Sequence, residues 1–561
     1  MESISNHMYA LKQGIPVMKS YQEGIDEGHF AVMSLPEDII VEKDVAIKMR
    51  DGTVLRANVF RPDINETAPV VMTFTMYDKD AHPAELLADF AELRESLGLG
   101  LGSFTVSECT PFEAPDPAYW VPHGYVVIHV DIRGTGTSEG TADPFGEDTV
   151  ADYGELIDWA GTQDWSNGRV ALHGVSFLAI SQWYAAAAKP KHLSAIVPWE
   201  GVSDPFRDNF FHGGIPETSF VNWWLMGMEG LPGTDEAPNF NPDNRTPPLS
   251  DMPLLLPELS DIEVPALICG SWSDQGLHTR GSIHAYMEIS SEHKWLYTHG
   301  RGKWSVYHSL EAMEYQRKFL DYFLKGLENG MLEEPRVRVE VRKTLDSWSV
   351  RGEDGWPIPR TEYSALHLNA GRDGLSTAAA SDITTASYNS TSEESLYFDF
   401  QFSEPTEITG HMKLKLWVST DEGEDMDIFV GVRKLDRHDC EVHFEAREND
   451  VRGLVSLGWQ RVSHRELDLA RSTPWRPYLS LQNEQRLEPG AIVPVEIEIL
   501  PSSTWFDKGE TLRLEIRGQD LYPNRMLQHK ELCNAGSHTV YMGGDYDSHL
   551  LLPVVPAGLD R

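Results

Sequence analysis

Apolar and polar positions alternate along this chain in two distinct rhythms, and the change between them divides it. In the N-terminal half, short apolar runs at residues 69–75, 125–130, 170–175, 264–270 and 294–298 each lead into glycine-rich or helix-forming sequence, as buried parallel strands do. The first block, 38–62, has two strand-like runs flanking Asp51-Gly52, a hairpin signal. Helical spacing runs from 149 to 159, with Val150, Leu156, Ile157 and Ala160 on the apolar side. Strands alternating with helices predict a mostly parallel sheet covered on both faces.

The rhythm stops at 203–262, where Phe210, Phe211, Phe220, Trp223, Trp224, Leu225 and Met226 precede a run rich in Pro and Asn. That stretch reads as a helical cap insertion. From 345 onward the segments are short and alternating, for example 411–418, 427–433, 492–499 and 511–517, with turn residues between them. Strands without intervening helices predict an all-β, jelly-roll-like sandwich. The expected organisation is an N-terminal extension over 1–36, an α/β domain over 37–204 and 263–344 interrupted by the cap at 205–262, and a C-terminal sandwich over 345–561.

The chemistry gathers at strand ends. The run before Gly174-Val175-Ser176 turns directly into helix-forming sequence, which holds a serine hydroxyl out of the sheet beside the N–H groups that open a helix. Asp274 follows the strand at 264–270, and His299 ends the strand at 294–298. Loops at the carboxyl ends of the strands line the crevice of an open α/β sheet, so Ser176, Asp274 and His299 are expected to face one site. Their order is that of a serine nucleophile, an orienting acid and an imidazole base. Taken singly, Asp274 would equally cap the next helix, and His299 would equally be a core histidine with its hydrogen bonds satisfied.

Composition narrows the function. A chain of 561 residues, 41% hydrophobic, supports a large core, and a formal charge of −40 argues against nucleic acid or an anionic membrane as partner. The four cysteines, Cys109, Cys269, Cys440 and Cys533, lie far apart and suggest neither a disulfide framework nor a zinc site. No apolar stretch of roughly 18 residues occurs, and the first residues lack a signal-peptide pattern, so a cytoplasmic location is expected. Gly134, Gly136 and Gly140 give a spacing one residue too long for a dinucleotide fingerprint and read as a tight turn. His438, Asp439, Glu441, His443 and Glu445 crowd one strand-like stretch, but alternation splits them between two faces. No metal or organic cofactor is expected.

Motifs spread over nearly the whole chain carry a resemblance: the hairpin at 49–62, Met76-Tyr77-Asp78-Lys79, Asp131-Ile132-Arg133-Gly134-Thr135-Gly136-Thr137-Ser138, Asp164-Trp165-Ser166-Asn167-Gly168-Arg169, Gly174-Val175-Ser176-Phe177 with Gln182-Trp183, Trp272-Ser273-Asp274, and Ser463-His464-Arg465-Glu466-Leu467-Asp468. Together they resemble the CocE/NonD serine hydrolases, the X-Pro dipeptidyl-peptidase S15-like family that includes cocaine esterase and the α-amino-acid ester hydrolases. The resemblance implies an α/β-hydrolase domain, Ser176 as nucleophile, Asp274 as acid, and an oxyanion hole made by the Tyr77 hydroxyl and the Phe177 backbone N–H. It implies cleavage of carboxylic esters, with amides and lactones open to the same machinery.

Two positions depart from the family pattern. Ala179 stands where glycine is usual, and the histidine segment is Thr298-His299-Gly300-Arg301 with a second candidate base at His308. His299 is favoured because the strand end points toward Ser176. Gln275-Gly276-Leu277 follows the acid where the amino-acid ester hydrolases carry acidic residues, which disfavours a free α-amino substrate. Phe220, Trp223, Trp224 and Gln275 are the expected pocket residues, for an ester with an apolar or aromatic acyl group. The rivals are an X-Pro peptidase or acylase, and a non-catalytic binding protein on the same fold. The sandwich also offers surfaces for a homo-oligomer.

Overall fold

A computed structural model describes residues 14–85, 102–221, 224, 256–370, 374–446, 450–521 and 527–556. The Asp51-Gly52 hairpin joins β1 (Ile39–Lys48) to β2 (Val54–Pro62), with Lys48 opposite Val54 and Gly52 at φ +98°. The strands β3 (Ala68–Thr75), β4 (Val126–Asp131), β5 (Ser166–Val175), β6 (Leu193–Trp199), β7 (Ala266–Ser271), β8 (Lys294–His299) and β9 (Val337–Thr344) follow, and β10 (Ser347–Glu353) closes the far edge. The sheet order is 1-2-4-3-5-6-7-8-9-10, parallel from β4 to β9 and antiparallel at both ends.

The strands are apolar on both faces because both faces are covered. Val70, Met72 and Phe74 of β3, with Leu172, Ile196, Ile268 and Leu296, share one core with the helices α1 (Glu147–Gly161), α2 (Phe177–Ala187) and α3 (Thr279–Glu288). Their alternates, Val71, Ala171, Val197, Cys269 and Trp295, share the opposite core with α4 (Leu310–Lys325). The period-two side-chain alternation of a strand thus feeds two cores from one sheet.

The C-terminal part is a sandwich. One sheet runs β11 (Glu362–Asn369), β19 (His549–Val555), β13 (Thr406–Thr420), β16 (Val493–Phe506), with β18 (Ser537–Met542) also pairing β13. The other runs β12 (Ser395–Gln401), β17 (Thr511–Arg517), β14 (Asp427–Leu435), β15 (Ser456–Arg461). Met412, Leu414, Leu416 and Val418 of β13 meet Ile428, Val430 and Val432 of β14 and Leu512, Leu514 and Ile516 of β17 in one buried core. The α/β fold with a C-terminal β-sandwich expected from the alternation is present. Of the expected cap, the described residues include a wide helical turn at Phe206–Phe210, a small hairpin of Phe211–His212 with Ile215–Pro216, and a short turn at Leu259–Asp261. Trp223, Leu225 and Met226 lie outside the described residues.

The far edge of the sheet and the sandwich together buttress the loop that follows β7. Trp272 stacks on Trp356 at 5.6 Å and donates through Nε1 to Glu340 O, and Arg280 of α3 bridges Asp208 and Glu498 at 2.7 and 2.9 Å. Gly276, at φ +80°, lies so close to the sandwich that a Cβ there would sit 2.8 Å from Leu527.

Candidate active site

The turn from β5 into α2 holds Ser176 at φ +57° and ψ −118°, a conformation that costs a non-glycine residue of order 1–3 kcal/mol. Its surroundings hold it there. The Ser176 N–H donates to Trp199 O and Glu200 O at 3.2 and 3.1 Å, and the Val175 N–H donates to Glu113 O at 3.0 Å. Glu113 and Glu200 themselves have positive φ, +65° and +50°. A Cβ on Gly174 would lie 2.5 Å from Leu178 Cβ, so the turn admits only glycine there. Gly201 approaches the helix equally closely: a Cβ on it would meet Ala179 Cβ at 2.8 Å, which is how the alanine at 179 is accommodated. Gln182 then zips α2 to β6 by donating to Val197 O and accepting from Val197 N–H.

Asp274 leaves β7 on a single hydrogen-bonded turn that passes through Gly276 at φ +80°, with the His278 N–H donating to Asp274 O at 3.1 Å. That turn brings the side chains of its first and last residues together. The Asp274 carboxylate therefore meets His278 Nδ1, and His278 Nε2 lies 3.1 Å from Ser176 Oγ. A carboxylate only accepts, so the proton sits on Nδ1 and Nε2 presents its lone pair to the serine hydroxyl. Both side chains are almost wholly buried, while Ser176 is partly exposed.

The structure brings His278 to Ser176, where the strand-end argument expects His299. His299 Nε2 is bonded to Glu200 Oε1 at 2.9 Å, and its Nδ1 accepts the Arg301 N–H at 3.3 Å, so both ring nitrogens are engaged elsewhere. Burial lowers the His299 pKa to about 3 and holds Glu200 well above the usual carboxylate range, with the Asp274 charge adding to the rise. His308 stacks on Phe104 at 5.1 Å under α4, and burial lowers it to about 3 as well. The sequence does contain a signal for His278: an Asp-x-x-x-His spacing at the entry to a helix. A search confined to strand ends passes over it.

Tyr77 belongs to a loop anchored from below. Lys79 is buried and pairs with Asp44, Asp80 and Asp131 at 2.9, 3.0 and 3.1 Å, and Asp131 also accepts the Lys79 N–H. A Cβ on Gly136 would strike the Asp131 carboxylate at 2.2 Å, so the glycine cluster is a tight turn around this ion cluster. Arg133 continues the anchor with two bonds to Asp152, at 2.9 and 2.8 Å, and one to Asp51 of the hairpin turn at 2.7 Å. Above it, the Tyr77 phenol faces Ser176, and the Trp224 Nε1–H donates to its oxygen at 3.2 Å. Burial and the Glu113 carboxylate hold that phenol well above its ordinary pKa, so it stays a proton donor. The Phe177 N–H opens α2, where no earlier carbonyl of the helix can accept it.

Around the partly exposed serine, Tyr77 packs edge-on against Phe112 at 5.5 Å and Phe177 at 6.3 Å, and Phe145 lies 6.2 Å from Trp224. Phe220 stacks on Trp224 at 6.3 Å and packs into the cluster of Phe206, Phe211 and Leu277. Gln275 is turned away from this wall: its Nε2 donates to Trp272 O and to Val455 O of the sandwich, making it a tie between domains because the turn that aims Asp274 and His278 inward aims residue 275 outward. Trp223 lies outside the described residues.

Glu200, Cys269 and His299 offer ligand atoms within 4.8 Å of one another. Burial favours the protonated forms of the Glu200 carboxyl and the Cys269 thiol, and His299 Nε2 is committed to Glu200, which does not suit metal ligation. In the stretch at 438–445, Glu441 pairs with Arg433.

Comparison with known proteins places this arrangement in context. The model of the X-Pro dipeptidyl-peptidase S15 family matches residues 51–246, and that of the X-Pro dipeptidyl-peptidase C-terminal non-catalytic domain matches 329–551. A CocE/NonD family hydrolase from Staphylococcus aureus superposes with a TM-score of 0.86 at 40% identity, covering 92% of this chain and 94% of its own. Cocaine esterase from Rhodococcus sp. is 22% identical over 630 residues, 92% of this chain and 98% of its own. An α-amino acid ester hydrolase shares the fold, with a TM-score of 0.65 at 17% identity over 92% of this chain and 97% of its own.

Proposed function

This chain belongs to the CocE/NonD family of hydrolases, and we propose that it cleaves small esters through an acyl-enzyme on Ser176, with His278 as the base and Asp274 as the acid that orients it. As a serine hydrolase of the esterase/peptidase type it acts on small ester or amide substrates. The observation that carries the residue assignment is the 3.1 Å approach of His278 Nε2 to Ser176 Oγ with Asp274 at its other nitrogen.

In this reading His278 takes the hydroxyl proton as Ser176 Oγ attacks the carbonyl carbon. The new C–O bond pushes an electron pair onto the carbonyl oxygen, which the Tyr77 O–H and Phe177 N–H receive. The pair returns, the C–O or C–N bond to the leaving group breaks, and His278 gives its proton to the departing oxygen or nitrogen. Water, deprotonated by the same imidazole, then releases the acid and restores the serine. Because Trp224 already donates to the Tyr77 oxygen, the phenolic proton is left to point at the developing oxyanion.

The aromatic wall of Tyr77, Phe112, Phe145, Phe177 and Trp224 favours an apolar or aromatic acyl group. A fluorophosphonate probe together with a panel of acetyl, butyryl and benzoyl aryl esters and Xaa-Pro anilides tests this function. Labelling that disappears in Ser176→Ala, with benzoyl or butyryl esters turned over fastest, is the expected result. An unlabelled wild-type protein would sink the enzymatic reading, and anilides outpacing every ester would move it to a peptidase.

A further inference from the structure

Beside the triad lies a buried ammonium that the proposed cycle does not use. Lys303 Nζ sits 3.8 Å from Asp274 Oδ2 and 3.6 Å from Glu113 Oε1, with its side chain only 12% exposed. Glu113 is almost wholly buried. Its Oε1 accepts the Trp304 Nε1–H at 3.1 Å, and among the described residues its Oε2 finds no hydrogen-bond partner. The same residue carries the carbonyl that accepts the Val175 N–H beneath the nucleophile and stands in a positive-φ conformation. Glu113, Lys303, Asp274 and His278 therefore form one line in which acidic and basic groups alternate, ending on the base and anchored at its far end to the nucleophile turn.

We infer that Glu113 and Lys303 are a positioning pair for the hydrolytic reaction: Lys303, seated between two carboxylates, sets how strongly Asp274 supports the His278 imidazolium, and Glu113 sets how much of the ammonium charge Asp274 feels. This inference rests on His278 as the base. When Asp274 shares its charge with Lys303 alone, it holds the imidazolium less firmly. An ionised Glu113 draws the ammonium toward itself and returns a negative charge to the neighbourhood, which favours the charged form of His278.

The groups facing Glu113 are Lys303, Asp274 and the phenols of Tyr77 and Tyr307, and Glu200 in turn faces Asp274 and Lys303. Burial pushes the Glu113 carboxyl up to about 7 against the pull of Lys303 and Trp304, with Asp274 adding to the rise. The Lys303 charge is thus divided differently on the two sides of neutrality.

The test is the pH profile of kcat/KM on p-nitrophenyl acetate, whose leaving group needs no protonation, so that the acidic limb reports the base. Glu113→Gln is expected to move that limb to lower pH by roughly 0.5–1 pH unit and Lys303→Met to move it higher, while Lys303→Arg stays near wild type. Profiles that coincide in shape and differ only in height would overturn the inference, because a merely structural role lowers the plateau without moving the limb. Glu113→Gln is isosteric and carries the test by itself should Lys303→Met not fold. Wild-type turnover that survives Ser176→Ala would instead defeat the hydrolase reading, a result distinguishable from coincident profiles.

Discussion

Two carboxyl–imidazole pairs lie side by side at the carboxyl edge of this sheet, and only one of them reaches Ser176, the proposed nucleophile. Asp274 and His278 are four residues apart on one turn, while Glu200 and His299 are 99 residues apart on the ends of β6 and β8. Both pairs are buried. The difference lies in what the second ring nitrogen meets: His278 Nε2 meets Ser176 Oγ, whereas His299 turns Nε2 to Glu200 and accepts a backbone N–H at Nδ1. Because His299 Nδ1 is an acceptor, its Nε2 carries the proton, and the pair is a neutral hydrogen bond with Glu200 raised and His299 lowered by the same burial. A second difference is structural. The Glu200 carbonyl accepts the Ser176 N–H from a positive-φ backbone, so the Glu200–His299 bond clamps the strained turn while Asp274–His278 contacts its hydroxyl.

The sharpest way to break this division is to exchange the two histidines' fates. His278→Ala is expected to lower kcat/KM on an aryl ester by about 10⁴- to 10⁶-fold, the range seen when a triad base is removed, with the thermal midpoint close to wild type. His299→Gln, which keeps a side-chain partner for Glu200, is expected to retain most of the turnover. If steady-state kinetics gave the reverse order, the strand-end histidine would be the base and the geometry in solution would differ from that described above.

A smaller effect separates the oxyanion side from the base. Tyr77→Phe keeps the ring against Phe112 and Phe177 but removes the O–H proposed to face the developing charge. Loss of one such donor typically costs about 10²- to 10³-fold in kcat with little change in KM. An equal rise in KM with kcat preserved would show that Tyr77 serves only as pocket wall.

What the sequence made legible follows from how local each device is. The hairpin at Asp51-Gly52, the strand-to-helix turn at Ser176 and the alternation of the sandwich are written within about ten residues each, and the structure has all three. The Lys79 loop depends on contacts among three segments, so its motif residues have a physical reading only once Asp131, Asp44 and Asp80 surround one ammonium. His278 was hidden for a different reason. The rule that strand ends face the crevice holds for His299, which does lie there beside Glu200, but proximity to a crevice does not say which nitrogen faces which partner. That choice is made by one turn after β7, pressed into place by Leu527 of the sandwich at Gly276, a contact more than 200 residues away in the chain. Gln275 was misassigned to the pocket by the same turn, one residue out of phase.

The gentlest probe of the comparison is acid. His299 is lowered to about 3 in the fold, whereas an unfolded chain protonates its histidines near 6.5. The native state therefore binds fewer protons here, and as pH falls from about 6.5 toward 3 this group draws the equilibrium toward the unfolded state. At pH 5 the penalty is about 2 kcal/mol. His299→Gln removes it, so the variant's stability relative to wild type is expected to be lowest near pH 8, where wild type carries no such penalty, and to recover by about that amount at pH 5. Denaturant midpoints at the two pH values measure the change directly. A difference between the two proteins that stays constant with pH would mean that the fold leaves His299 near its ordinary pKa, and one that widens toward pH 5 would mean that His299 is protonated in the fold beside an ionised Glu200; either result would end the reading of this pair as a neutral clamp.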